Sequence, residues 1–257
     1  MFVDTHCHLD GEEFVEDRVE VMQRAREAGC KAIFLPAIDL PSSQRIVKLA
    51  QQYSDYLYPM IGLHPEEVRA DWREQLAEIK SILPSPVIAI GEIGLDFYWS
   101  REFEKEQLEA FEEQVQWSVE TQLPLMIHCR KAQNEMVHIL KRYADKLPGG
   151  VFHCFTGNEK EAAELLQFDR FVLGIGGVLT FKKSHLPEVL PTTVPLERLV
   201  LETDAPYMAP VPMRGQRNES SYIRYIITRL AEAYGVDETV ICHHTNENVK
   251  KVFGVQV

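Results

Sequence analysis

Phe2-Val3-Asp4-Thr5-His6-Cys7-His8 is a short apolar run that ends in two histidines one residue apart. Side chains alternate faces along an extended strand, so His6 and His8 point the same way and Cys7 points opposite. Two imidazoles aimed at one point suit a metal. Taken alone, the pair reads better as chance or as two satisfied polar residues. Four later stretches repeat the design, however. Gly91-Glu92, Ile127-His128, Phe152-His153 and Thr203-Asp204 each close a short apolar run with a residue able to ligate a metal. Five strand ends carrying one ligand chemistry are read as one site.

Working outward from these runs, strand and helix alternate. Val15, Val19, Met22 and Ala25 recur at helical spacing, and Gly29 stands where a C-terminal cap belongs. Residues 32–35 form a second strand, and a helix with proline in its first turn runs from 41 to about 52. A third strand, 57–62, leads into Leu63-His64-Pro65 and a helix from about 72 to 82. The fourth, 86–92, continues into a loop over 93–98, after which a long helix turns Leu108, Phe111, Val115 and Val119 inward. Strands 125–128 and 151–153 flank a helix in which Met136, Leu140, Tyr143 and Leu147 share a face and His138 faces solvent. Strands 171–174 and 199–202 bring the count to eight. A last amphipathic helix, built on Ile223, Ile226, Ile227 and Leu230, ends near Gly235.

Nearly continuous apolar strands alternating with helices imply a parallel sheet covered by helices. Eight such units predict a single (β/α)8 TIM-type barrel domain over residues 1–257, with a metal site at the C-terminal ends of the strands. An open doubly wound sheet has the same alternation, but it spreads strands one, four, five, six and eight apart. Closure gathers their ends at one mouth.

The chain carries 39 acidic and 27 basic residues, a net charge of −12, which excludes a broad basic footprint for duplex nucleic acid. A phosphorylated substrate stays compatible with that charge, because bound dications are the largest local charges in such a site. The five cysteines are odd in number, scattered and without a Cys-x-x-Cys pair, which points to a reducing, cytoplasmic compartment. No signal-type segment opens the chain, and no apolar run approaches the ~20 residues that span a bilayer. A soluble protein with no membrane and no obligate protein partner is expected.

His6, His8 and Asp204 are read as holding one cation, His128 and His153 a second, and Glu92 as bridging both. Imidazole and carboxylate ligands suit two divalent ions drawn from Zn, Mn or Mg. Such a pair supplies a water of lowered pKa and a polarised phosphoryl or carbonyl oxygen. Cys7, Cys129 and Cys154, turned away by strand alternation, are expected to bury their sulfurs and to bind no metal.

Asp4-Thr5-His6-Cys7-His8, Gly62-Leu63-His64-Pro65, Gly91-Glu92-Ile93-Gly94-Leu95-Asp96, His128-Cys129-Arg130, His153-Cys154-Phe155-Thr156-Gly157 and Glu202-Thr203-Asp204-Ala205-Pro206 follow one another in this order. In this the chain resembles, over essentially its whole length, the TatD-type deoxyribonucleases, metal-dependent hydrolases of the amidohydrolase barrel class. The resemblance implies metal ligation by His6, His8, Glu92, His128, His153 and Asp204, and phosphodiester hydrolysis at DNA ends or on single-stranded DNA from the 3′ side. The stretch Arg217-Asn218-Glu219-Ser220-Ser221 departs from the family's usual form, in which a proline follows the glutamate, and is expected to bear on substrate choice.

Further roles follow from placement. Asp204 and Glu92 are the catalytic candidates, Asp204 as acceptor of a water proton. His64, at the end of strand three, either bonds a substrate phosphate or is structural. Arg130 offers a fork suited to phosphate or pairs with Glu92 or Glu135. Glu202, on the same face as Asp204, orients water, binds a further cation or substrate, or pairs with an arginine. Arg214 and Arg217 are read as surface residues unless their loop folds over the site, and His185, His243 and His244 as structural. Two other readings compete. One is a lactone, amide or phosphotriester hydrolase on the same barrel, where relatives often bridge their metals with a modified lysine rather than a glutamate. The other is a metal-binding scaffold without turnover.

Overall fold

A computed structural model describes residues 1–83 and 86–256. Its eight strands are β1 (Phe2–Asp4), β2 (Cys30–Pro36), β3 (Leu57–Ile61), β4 (Ala89–Asp96), β5 (Leu125–Arg130), β6 (Gly150–Phe152), β7 (Phe171–Ile175) and β8 (Leu199–Leu201), and the sheet order is the chain order. The recorded strand pairs are parallel. Sequential parallel order with intervening helices is that of a (β/α)8 barrel. The chain divides into two compact units, Met1–Leu35 with His153–Val257, and Pro36–Phe152.

In the first unit β1 pairs with β2 and β7 with β8. The backbone N–H of Thr5 donates to the carbonyl of Leu201 at 3.0 Å, and Cys7 bridges Ala205, so the first and eighth strands also join. Helix α1 (Arg18–Glu27) buries Val21, Met22 and Ala25. Val15 and Val19, expected on the inner face, are exposed. The helix begins three residues after Val15, and its buried arc is set by Val21, Met22 and Ala25, which leaves Val19 on the opposite side.

Helix α8 (Ile223–Tyr234) buries Ile223, Ile226, Ile227 and Leu230 as expected, and Gly235 caps it in the left-handed region at φ 65°. It is not the last helix. A ninth, α9 (Glu238–Phe253), packs against β1 and β8 and sets Phe253 edge-on to Phe34 with ring centroids 4.9 Å apart. Its buried positions are Ile241, Thr245, Asn248 and Val249. Half of that face is polar, and Asn248 Nδ2 donates to the carbonyls of Leu196 and Leu199, so the apolar period is too weak to read. The remaining helices of this unit are α6 (Glu159–Leu165) and α7 (Leu186–Thr193).

In the second unit α2 (Leu40–Gln52) leads into β3, and β3 to β6 pair in order with α3 (Trp72–Lys80), α4 (Glu104–Thr121) and α5 (Gln133–Lys141) between them. Asp39 and Ser42 form a capping box at the start of α2. Strand β4 runs on through Asp96, where a loop was expected, because Ile93 to Asp96 pair in register with Ile127 to Arg130 of β5.

The inner face of α4 also differs from expectation. Phe111 and Val115 are buried, but Leu108 and Val119 are only half-buried, and Gln107 and Gln114 lie inside. The two amides clamp the backbone of strand ends. Gln107 accepts from Asp96 N at 2.9 Å and donates to Asp96 O, while Gln114 accepts from Leu63 N at 2.7 Å and donates to Leu63 O. Each buried amide is satisfied by the segment it holds, which is why polar side chains occupy a core face. The segments they hold are those that carry Asp96 and His64.

Candidate metal centre

In the first unit the chain stays extended past β1 and brings His6 and His8 together, with their Nε2 atoms 3.3 Å apart. Asp204 Oδ1 lies 3.8 Å from His6 Nε2 and 3.7 Å from His8 Nε2. Asp204 occupies the left-handed region at φ 56°, a conformation costing a non-glycine residue about 1 kcal/mol or more. Its N–H donates to His6 O at 2.9 Å and its carbonyl accepts from Tyr207 N at 2.8 Å, which fixes the turn. The His153 ring stacks on His6 with centroids 3.9 Å apart and planes 14° from parallel.

Glu202, expected also as a substrate contact, is instead fully buried beneath His153. Its Oε1 accepts from Cys154 N at 2.6 Å and faces His153 Nδ1 at 3.2 Å. A proton on Nδ1 leaves Nε2 as the ligating nitrogen, the usual arrangement behind a metal-bound histidine. Glu202 Oε2 is buried with no hydrogen-bond partner. Gly174 provides its space, since a Cβ there would stand 2.2 Å from that oxygen. An unpaired buried carboxylate oxygen is costly in a protein interior unless a cation compensates it. His6, His153 and Glu202 offer ligand atoms within 4.8 Å of one another, so the residues present fit a divalent ion.

Beneath this group lies Asp4, which the sequence reading quoted but left without a role. Its Oδ1 accepts from His6 N at 3.2 Å and Thr203 N at 3.0 Å, and its Oδ2 from Thr203 Oγ1 at 2.7 Å and Ser220 Oγ at 2.6 Å. One carboxylate thus ties the end of β1, the end of β8 and the following loop together. Ser220 is the residue that departs from the family's proline, and it is buried under the site rather than over it. Arg217 pairs with Asp17 at 2.6 Å and covers Phe14, and Glu219 pairs with Arg24 at 2.6 Å, so the loop is pinned to α1.

Burial pushes the Asp4 carboxyl from its ordinary value of 3.8 up to about 7, against the four hydrogen bonds, which pull it down. The folded state therefore binds this proton more tightly than the unfolded chain does. In metal-free protein the associated stability is present at low pH and is lost as pH rises from about 4 to about 7. Replacing Ser220 by alanine removes a donor to the ionised form. We expect a cost of about 2 kcal/mol above pH 7 and a smaller one near pH 4. Thermal unfolding of the Ser220→Ala protein at both pH values tests this, and an equal deficit at both would count against the network.

In the second unit Glu92 is buried, with Oε1 3.1 Å from His128 Nδ1 and 3.4 Å from His64 Nε2. His64 Nδ1 accepts from Glu66 N at 3.1 Å, which places the ring proton on Nε2, facing Glu92. His128 and His64 stand edge to face, 4.5 Å apart. The second nitrogen of His128, Nε2, meets Asp96 Oδ2 at 2.9 Å. Burial pushes the Asp96 carboxyl up, but hydrogen bonds from His128 and from the Tyr98 and Trp99 backbone outweigh it and hold the group below the usual carboxylate range. Asp96, to which the sequence reading assigned no role, is thereby brought against His128. It lies on β4 in register with Arg130, two residues past His128 on β5, and the assumed loop hid that register.

Arg130 is exposed and lies over the ring of Tyr98, with Cζ 3.6 Å from the centroid, rather than against Glu92 or Glu135. Cys7 is buried as expected, but Cys129 and Cys154 are only half-buried. The last residues of β5 rise out of the core, and Cys154, at φ 49°, lies past the end of β6 where strand alternation no longer holds. Among the described residues no cysteine belongs to a potential cation-binding group. His185 and His244 pair with Glu188 and Glu197 at the surface, at 3.7 and 3.3 Å.

The profile of the TatD-related DNase family matches residues 3–254, and the chain belongs to that family, a family of phosphodiester hydrolases. It is 37% identical to the uncharacterized metal-dependent hydrolase YabD of Bacillus subtilis, a match covering 99% of this chain and 100% of the relative. It is 35% identical to the 3′-5′ ssDNA/RNA exonuclease TatD of Pectobacterium carotovorum, over 97% and 98% of the two chains. The crystal structure of the TatD homolog YJJV from Escherichia coli k12 superposes with a TM-score of 0.89 at 32% identity, covering 99% of this chain and 98% of that one. The fold is a (β/α)8 barrel, and no described helix is long and apolar enough to cross a membrane.

Proposed function

We propose that this chain is a cytoplasmic, metal-dependent exonuclease that removes nucleotides from the 3′ ends of single-stranded DNA, working as one domain over residues 1–257. The observation that carries the reading is the convergence of His6, His8, His153, Asp204 and the unpaired oxygen of Glu202 in a member of a DNase family. His6, His8, Glu92, His128, His153 and Asp204 would hold two divalent cations (Zn, Mn or Mg). When bound, such ions lower the pKa of a water and polarise a phosphoryl oxygen.

The chain's own groups do the rest. Asp204 Oδ1 accepts the proton of the attacking water. Asp96 and Glu202 act through His128 and His153, holding the orientation of each ring. His64 Nε2–H and the Arg130 guanidinium meet the substrate phosphate.

Single-stranded DNA labelled at its 5′ end should shorten stepwise from the 3′ end with manganese or magnesium and stay intact with a chelator. Closed circular duplex should be a poor substrate. With a net charge of −12, few phosphates can be neutralised, so affinity should fall with salt by a log-log slope of about −0.7 for each of roughly two to three contacts. Rapid nicking of closed circles, or a slope several times steeper, would count against this reading.

A further inference from the structure

Trp99 is 66% exposed and Tyr98 50% exposed, whereas Trp72 and Trp117 are buried. The two exposed rings follow the buried Phe97, one residue past Asp96 at the end of β4. Tyr98 N donates to Asp96 Oδ1 at 2.9 Å, and Phe97 N to the carbonyl of Arg130 at 3.0 Å, so the segment is tied to the tip of β5 next to His128. The rings stand edge to face, 83° apart in plane with centroids 4.9 Å apart. The Arg130 guanidinium lies 3.6 Å from the Tyr98 centroid and 5.1 Å from that of Trp99.

A tryptophan left in water forgoes the burial that would stabilise the fold. An aromatic pair with an arginine beside it, at the edge of a phosphodiester-hydrolysing site, has the composition of a single-strand grip. It also answers a difficulty raised by the net charge, because stacking holds a polyanion without many cationic contacts. We propose that Trp99 is the surface on which a nucleobase of the bound single strand stacks. Tyr98 is a positioning residue that holds Arg130 over its ring, where the guanidinium N–H groups meet the adjoining phosphate. The proposal rests on the exonuclease reading and adds to it the group that recognises the base. Because every base has a π-face, the grip is tolerant of sequence and demands an unpaired strand.

The test measures binding of fluorescent single-stranded DNA by anisotropy, in chelator and low salt so that no turnover intervenes. One oligonucleotide is intact, and one has abasic residues at its last three 3′ positions. Trp99→Ala should weaken binding of the intact strand on the order of tenfold, the scale of one base–aromatic stack, and leave the abasic strand unchanged. Trp99→Phe should bind the intact strand within about twofold of wild type, since it keeps a ring. The proposal is overturned if Trp99→Ala binds both strands as wild type does, if it loses both equally, or if the wild type does not distinguish the two strands. Hydrolysis of the intact strand by the wild type with manganese is scored separately. Its absence removes the exonuclease reading, while the binding arm still decides whether Trp99 is a base platform.

Discussion

Glu92→Gln should lower turnover on the order of a thousandfold while the fold persists. The estimate follows from the several kcal/mol of charge stabilisation that a paired dication site supplies, at 1.36 kcal/mol per tenfold in rate. Glutamine keeps the shape of Glu92 but has one acceptor oxygen and no charge. His64 Nε2 and His128 Nδ1 both face Oε1. Two cations would lose the anion that offsets them, so metal per chain should fall with activity. The metal-free protein should still unfold cooperatively, because glutamine fills the buried space that Glu92 occupies. Metal analysis, hydrolysis rate and thermal unfolding separate these effects. A fully metallated, active Glu92→Gln enzyme would place the bridge elsewhere.

Gly94→Ala should be the most destabilising conservative change in the chain. Gly94 sits inside β4 at φ 147°, and an added Cβ would stand 1.8 Å from the carbonyl oxygen of His128. Both partners are backbone in a paired strand, so neither can move without breaking the register of Ile93–Asp96 against Ile127–Arg130. The expected loss is about 4 kcal/mol or more, roughly a 10 °C fall in melting temperature for a domain of this size. The His128–Asp96 contact should be lost with it. A melting temperature within about 2 °C of the parent would show that β4 tolerates a side chain at this point.

The ligand candidates were legible because each ends an apolar run, and the same alternation carried the count of eight strands. What was hidden follows a common cause, namely polar groups used inside. Gln107 and Gln114 on α4 are buried clamps on Asp96 and Leu63, and nothing in an apolar period marks them. Asp4 lay within the opening motif, but its four donors come from residues 6, 203 and 220, partners that no local pattern connects. Helix α9 escaped because Thr245 and Asn248 stand where apolar residues mark a face. Val15 and Val19 erred in the opposite sense, as apolar residues at helical spacing that face water. Periodicity reports burial only where burial is apolar.

The division of the chain also bears on synthesis. Pro36–Phe152 is continuous, but the other unit is made of the two ends, and Thr5 Oγ1 donates to Leu201 across 196 positions. A ribosome adding about 5 to 20 residues per second leaves roughly 10 to 40 s between the emergence of these partners. Throughout that interval His6 and His8 are present without Asp204, and Asp4 without Thr203 or Ser220. A product terminated before residue 203 therefore keeps His6 and His8 but lacks both Asp204 and the Thr203 and Ser220 donors to Asp4. The hydrogen bonds that tie the end of β1 to the end of β8 and the following loop can all form only once translation has passed residue 220.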